Sequence, residues 1–240
     1  VIDLEDAVAP AAKPAAREAV AAFIAKASER IVVRINDQAT SWFEDDLAML
    51  RAVKAHTVML PKAERMATIE RVREVCPHIE VLALIESARG VLAAPALATA
   101  PGVQRLVFGT VDYALDMDLQ GELATTLGLD HAATQLALAS RAAGLLPPVA
   151  GVTVALDDET ALRADFVRAM AHGFAAKLCI HPKQIAAVHT LLAPSVDEMA
   201  WAQRVLSAAE AAAGAAVQLD GRMIDKPVIE RARRIVQRAH

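Results

Sequence analysis

Aromatic residues make up only 3% of this chain of 240 residues, so stacking on nucleic-acid bases or sugar rings is poorly supplied. The 25 basic residues are outnumbered by 29 acidic ones, and no basic block or aromatic–basic stripe occurs, which argues against a nucleic-acid partner. Cysteine is scarce as well. Cys76 and Cys179 are too few for a secreted disulfide framework, and two reduced, buried thiols in a cytoplasmic protein are expected instead. No apolar run approaches the ~20 residues of a membrane span, and no signal-peptide pattern is present. No glycine-rich loop follows any apolar run, so the usual nucleotide signature of an open doubly wound sheet is missing.

What the chain has is apolar material, 55% of its residues, distributed with a rhythm. Strand-like runs begin near Val1, Ile31, Thr57, Val81, Arg105, Gly151 and Lys177, at intervals of 24 to 30 residues apart from one of 46. Helical patterns lie between them, which suits repeated βα units. Ser41 and Glu44 have capping-box spacing, as do Ser195 and Glu198, and Gly173 stands where a helix C-cap glycine would. Seven runs are one short of an eightfold barrel, and the chain opens inside a strand pattern, VIDLED, without a methionine. A (β/α)8 TIM barrel whose first βα unit precedes this record accounts for both facts. An open doubly wound sheet is the alternative. The long interval after Asp112, with a helix near 130–143, predicts extra chain walling an active site. A barrel domain over 1–192 and a C-terminal helical lid or oligomerisation segment over 193–240 are expected, the latter with helices over 195–213 and 228–238.

Three charged residues, Arg34, Glu86 and Asp112, sit in or just beyond apolar runs (VVRIN, VLALIE, LVFGTVD). A charge there belongs at the strand's exit from the sheet, where wound α/β folds bind ligands. Glu86 and Asp112 together suit a hard divalent cation such as Mg²⁺, which takes one or two carboxylates and leaves positions for water and substrate. Alternatively, each acid caps the next helix or pairs with a base such as Arg89. The Arg34 fork suits a substrate carboxylate, or a salt bridge to the acids of VIDLED. Alternation puts Asp3 and Glu5 on one face of the first strand, placed to orient Arg34 or to hold water at a metal; Asp6 suits a helix cap equally well. Lys13 and Arg17, four apart at a helix start, suit a phosphate or a solvated face. Lys62 and His181 also end strand-like runs. Asp225 precedes a helix with proline in its first turn, so N-capping alone would explain it.

Taken in order, VIDLEDAVAP with KPAAR, VVRIN, VMLPKAE, ALIESARG, FGTVDYALD, KLCIHPKQ and WAQRVL with DGRMIDKP resemble the HpcH/HpaI aldolase and citrate lyase β-subunit family from the first residue to the last helix. The resemblance implies a Mg²⁺-dependent barrel that makes or breaks a carbon–carbon bond beside an acyl thioester such as an acyl-CoA, with a 2-oxo acid as the other product, in a trimer or hexamer. It implies Glu86 and Asp112 as metal ligands and Arg34 as the substrate-binding arginine. It implies Asp225 as an acid reaching a neighbouring subunit's site from the lid. Two departures bear on substrate: Val111 stands where relatives often carry Glu, and Ala150 and Ala155 where many carry Asp.

Overall fold

The computed structural model describes residues 1–211 and 217–238. Seven strands, β1 (Ile2–Asp3), β2 (Val32–Arg34), β3 (Thr57–Leu60), β4 (Glu80–Ile85), β5 (Val103–Phe108), β6 (Val149–Ala150) and β7 (Ala176–Lys177), form one parallel sheet in chain order. The crossovers carry α1 (Lys13–Ile24), α2 (Phe43–Ala52), α3 (Met66–Val75), α4 (Ala88–Ala98), α5 (Thr110–Asp116), α6 (Glu122–Ala142) and α7 (Glu159–Ala171). After β7 come α8 (Lys183–Leu192), α9 (Val196–Ala211), a hairpin of β8 (Val217–Leu219) and β9 (Arg222–Ile224), and α10 (Lys226–Gln237). All seven expected strands are present. β6 closes at Ala150, ahead of the expected Gly151, and α6 begins at Glu122, well before the expected residue 130.

Two compact units result. The first holds Val1–Val154 and Asp165–Ile180, the second Ala155–Ala164 and the chain from His181 onward, so the expected boundary at 192 falls inside the second. In the first unit, parallel register aligns Leu84 with Val107, Val107 with Val149, and Val149 with Ala176. Met59, Leu84, Val107 and Val149 form one buried cluster, so this row is the apolar layer on one face of the sheet. Continuous apolar strands such as VLALI suit a parallel sheet covered on both faces. Truncating Leu84 would remove about 2–5 kcal/mol.

That row also fixes the direction of the charged residues. Asp3 is in register with Arg34, and Arg34 with Met59, so both charges leave the sheet on the face of the Met59 cluster. Glu5 and Glu86 continue the alternation two residues beyond Asp3 and Leu84.

Local signals vary in their outcome. Ser195 and Glu198 form the capping box, Ser195 Oγ accepting the Glu198 amide and Glu198 Oε2 the Ser195 amide. Gly173, with φ +99°, closes α7. Ser41 caps nothing: Trp42 is the N-cap of α2 without a side-chain bond, and Glu44, Asp45 and Asp46 in the first turn complement the helix dipole instead.

In the second unit α9, the hairpin and α10 share a core of Ala202, Val205, Ile224, Ala232 and Ile235. Asp220 (φ 49°) and Gly221 (φ 74°) make the turn between β8 and β9. The expected helix 195–213 extends into residues 212–213, which lie outside the described ones.

Within the first unit, Asp130 on α6 accepts from Arg168 Nε on α7 and bonds Nε2 of His172, just past that helix, each at 2.7 Å. The Arg168 bond holds the Asp130 carboxyl below the ordinary range, with burial opposing and His172 assisting. A depressed carboxylate stabilises the fold above its unfolded value and loses that contribution as pH falls through the folded one. Asp130→Asn should therefore lower the melting temperature at pH 7 by a few degrees, on the order of 1 kcal/mol after screening at this half-exposed pair. The gap between the two proteins should close in thermal melts run well below pH 3.8.

Candidate active site

The exits of β1, β2, β4 and β5 bring the acids and Arg34 to one end of the sheet. Arg34 is held first by Asp3, in a two-pronged contact with Nε to Oδ1 at 2.8 Å and Nη2 to Oδ2 at 2.6 Å. Asp3 also accepts the amides of Glu5 and Ala7. Burial pushes the Asp3 carboxyl up, but Arg34 and those amides outweigh it and hold it below the ordinary range. Glu5 Oε2 lies 3.0 Å from Arg34 Nη1 without hydrogen-bond geometry, and exposed Asp6 approaches the same nitrogen at 3.4 Å. Burial dominates at Glu5: despite Arg34, and with Asp6 and Glu86 repelling a second charge, its pKa is pushed up to about 8.

Glu86 follows β4 and is 5% exposed. Its Oε1 accepts the Lys62 amide at 2.8 Å, and Lys62 holds the left-handed conformation (φ 43°) to aim that N–H. Burial, opposed by this amide and reinforced by the charge of Asp112, raises the Glu86 carboxyl to about 7. Asp112 lies in the first turn of α5, exposed, just past the exit of β5. Among the described residues neither Glu86 nor Asp112 has an ion-pair partner, and Arg89, a candidate partner for Glu86, pairs with Glu64 instead. A buried carboxylate that feels the charge of a second one, neither of them ion-paired among the described residues, is a donor set suited to a dication. Among the described residues no group of three or more His, Cys, Asp or Glu is placed to hold a metal ion, so Glu86 and Asp112 would act as a pair of carboxylates. That fits Mg²⁺, which keeps waters or substrate oxygens on its remaining positions.

Gly109 is the hinge of this pair. A Cβ there would stand 2.5 Å from Glu86 Cβ and 2.8 Å from Glu86 Oε2. Gly109→Ala should therefore displace Glu86 and weaken divalent-cation binding by about tenfold or more while the protein still folds. Calorimetric titration with Mg²⁺ beside a thermal melt checks both halves of that expectation.

Other candidates lie elsewhere. Lys13 is buried and its three donors go to internal acceptors, while Arg17 bonds Asp46 through Nε and Asp45 through Nη1 and leaves Nη2 buried without a partner. His181, in the second unit, accepts the Lys183 amide through Nδ1. Asp225 is exposed, and its Oδ1 caps α10 by accepting the Val228 amide at 3.2 Å. Sequence reasoning passed over Glu64, which takes the Ser87 hydroxyl at 2.7 Å, and Asp116, which takes the Ala88 amide at 2.7 Å; both brace the turn after Glu86. Asn36 and Asp46 were passed over as well; both are buried behind Arg34, and only their burial marks them.

A parallel α/β sheet with paired acids and an arginine at its strand exits is the plan of a metal-assisted enzyme of the TIM-barrel class. Comparison with known proteins makes this specific. The chain belongs to the HpcH/HpaI aldolase/citrate lyase family, which matches residues 1–182, and residues 139–240 match the C-C bond lyases of the TIM-barrel fold. A citrate lyase subunit beta-like protein of Mycobacterium tuberculosis is 37% identical over all of this chain and 86% of its own length. A (3S)-malyl-CoA thioesterase of Cereibacter sphaeroides is 34% identical over all of this chain and 85% of its own. Among solved structures, protein CitE of M. tuberculosis in complex with magnesium, acetoacetate and coenzyme A covers 99% of this chain and 88% of its own, with 34% identity and a TM-score of 0.83.

Proposed function

We propose that this protein is a Mg²⁺-dependent carbon–carbon lyase. It would cleave a 3-hydroxyacyl thioester, such as malyl-, citramalyl- or citryl-CoA, into a 2-oxo acid and an acyl thioester, or run the reverse condensation. The carrying observation is the unpaired Glu86–Asp112 couple beside an arginine fixed by Asp3. Magnesium and coenzyme A in the related CitE structure support the same reading. Glu86 and Asp112 would hold the cation, which when bound supplies Lewis-acid polarisation and a template for chelating oxygens.

The remaining steps fall to side chains. Arg34 would grip the carboxylate on the hydroxyl-bearing carbon and place positive charge where negative charge develops as the bond breaks. Asp3 keeps that guanidinium in place, and Glu5 and Asp6 add to the field around it. The hydroxyl proton is lost and one proton is gained at the thioester's α-carbon, so the proton count is unchanged. Asp225 of a neighbouring copy, or water it holds, would deliver the second proton, and in the reverse direction would remove it. That role belongs to a trimer or hexamer in which residues 193–240 act as lid. The setting is cytoplasmic; no helix among the described residues is long and apolar enough to cross a membrane.

Assay of malyl, citramalyl and citryl thioesters with and without Mg²⁺ tests the reading. Stoichiometric 2-oxo acid supports it, and none from any of the three sinks it. Thioester hydrolysis on the same site is the second reading, favoured by the malyl-CoA thioesterase relative, and free coenzyme A without 2-oxo acid would select it. Activity only on an acyl carrier protein would instead mark a subunit of a citrate lyase complex.

A further inference from the structure

The Arg34 site has a buried support that the reaction scheme does not use. β1 and β2 are joined by a ladder of two register pairs, and beyond Arg34 the last backbone bond between them is Leu4 N–H to Arg34 O at 2.8 Å. Past that point the carbonyls of Leu4 and Glu5 accept from a side chain, that of Glu5 also from the Val8 amide at 3.2 Å. Lys13, at the start of α1 and 5% exposed, donates to Leu4 O at 2.8 Å and to Glu5 O at 2.9 Å. Its third donor reaches Asn36 Oδ1 at 2.6 Å, two residues beyond Arg34 on the other strand exit. The ammonium also lies 4.9 Å from the centre of the Trp42 ring.

Asn36 is fixed in turn. Its backbone N–H and Nδ2 both donate to Asp46 Oδ2, at 2.9 and 2.7 Å, and Asp46 Oδ1 accepts Arg17 Nε at 2.8 Å. Asn36 and Asp46 are 2% and 1% exposed, so the network is sealed from water. An ammonium whose three protons all meet buried acceptors is a clamp. It ties the exit carrying Asp3 and Glu5 to the exit carrying Arg34.

On the lyase reading above, we propose that Lys13 is a positioning residue for Arg34: by clamping the exits of β1 and β2 it sets where the guanidinium meets the substrate's carboxylate. Glu86, after β4, and Asp112, in the first turn of α5, take part in none of these hydrogen bonds, so loss of the clamp should leave cation binding nearly unchanged. The clamp therefore separates two properties that general damage to the fold would lower together.

The test is Lys13→Met, which keeps the length of the side chain and removes all three donors, combined with Arg34→Lys in a double-mutant cycle. Mg²⁺ affinity, the KM and kcat for the thioester, and the Kd for a 2-oxo acid (oxaloacetate, with Mg²⁺ present) are measured for each variant. The expected result is Mg²⁺ affinity within about twofold of wild type, KM and oxaloacetate Kd raised about tenfold, and a double variant no worse than Arg34→Lys alone. Additive losses, an unchanged KM and Kd, or a parallel loss of Mg²⁺ affinity would each overturn the proposal. Asn36→Ala, which removes one acceptor of the clamp, should shift the same quantities less; should neither variant fold, Lys13 serves overall stability and the proposal fails. The oxaloacetate arm needs no turnover. Wild-type protein that binds the 2-oxo acid but cleaves no thioester defeats the lyase reading while leaving the Lys13 cycle decisive.

Discussion

Glu86→Gln should cut turnover by roughly three orders of magnitude and at the same time make the metal-free protein more stable. The two effects share one cause. The amide keeps the size of the carboxylate and can still accept the Lys62 N–H through its oxygen, but it carries no charge toward a dication. In the metal-free fold that charge is a burden, because burial and the neighbouring Asp112 hold the Glu86 carboxyl at about 7 against a reference of 4.5. A carboxyl raised on folding contributes its stability below the unfolded value and loses it as pH rises through the folded one. The melting temperature of Glu86→Gln should therefore match wild type near pH 4.5, exceed it increasingly toward pH 7, and stay level above that. Melts in chelator across this range, beside turnover at saturating Mg²⁺, check both signs. A stabilised variant with intact turnover would show that Glu86 is strained for some purpose other than holding a cation.

The second large effect is expected at Arg34. Arg34→Lys retains the positive charge, but a single ammonium cannot reproduce the two-pronged contact with Asp3 and also present donors to a substrate. We expect kcat/KM to fall about 100- to 1000-fold, on the order of 3–4 kcal/mol of lost transition-state stabilisation. The loss should fall on both constants, KM rising as the grip on the substrate carboxylate weakens and kcat falling as the charge developing during bond cleavage loses its fork, while Mg²⁺ affinity stays near wild type. Arg34→Met should lose more, since Asp3 and Asp6 would then repel an incoming carboxylate with no guanidinium to offset them. Steady-state kinetics on the thioester that proves active distinguishes this from a binding defect, which would raise KM alone.

The sheet was legible because its strands are continuous apolar runs, and a parallel sheet buried on both faces demands such runs. VLALI and RLVF needed no partner to be recognised. The β8–β9 hairpin carries a turn signal in Asp220-Gly221, but its strands, three residues each, are too short for alternation to mark them. Ser41 shows the opposite failure. Its spacing to Glu44 was right, but chain entry into α2 put Trp42 at the cap.

For the site, the sequence placed Glu86 and Asp112 just beyond strands, and the structure has Glu86 directly after β4 and Asp112 in the first turn of α5. The burial of Lys13 and Arg17 could not be read from their i, i+4 spacing, because a solvated face and a buried clamp look identical along the chain. What separates them is the position of Asn36 and Asp46 in space, which only the packing of α1 and α2 against β2 supplies. Lys62 is similar: its side chain drew attention as a strand-end base, whereas its backbone amide is what meets Glu86.

The proposed chemistry requires one divalent cation between Glu86 and Asp112. Crystals soaked in Mn²⁺ and measured at its absorption edge test it directly. A single anomalous peak about 2.0–2.3 Å from an oxygen of each carboxylate is the predicted result. A map with no peak there, or with the cation bound by other residues while Glu86 remains on the Lys62 amide alone, would contradict it.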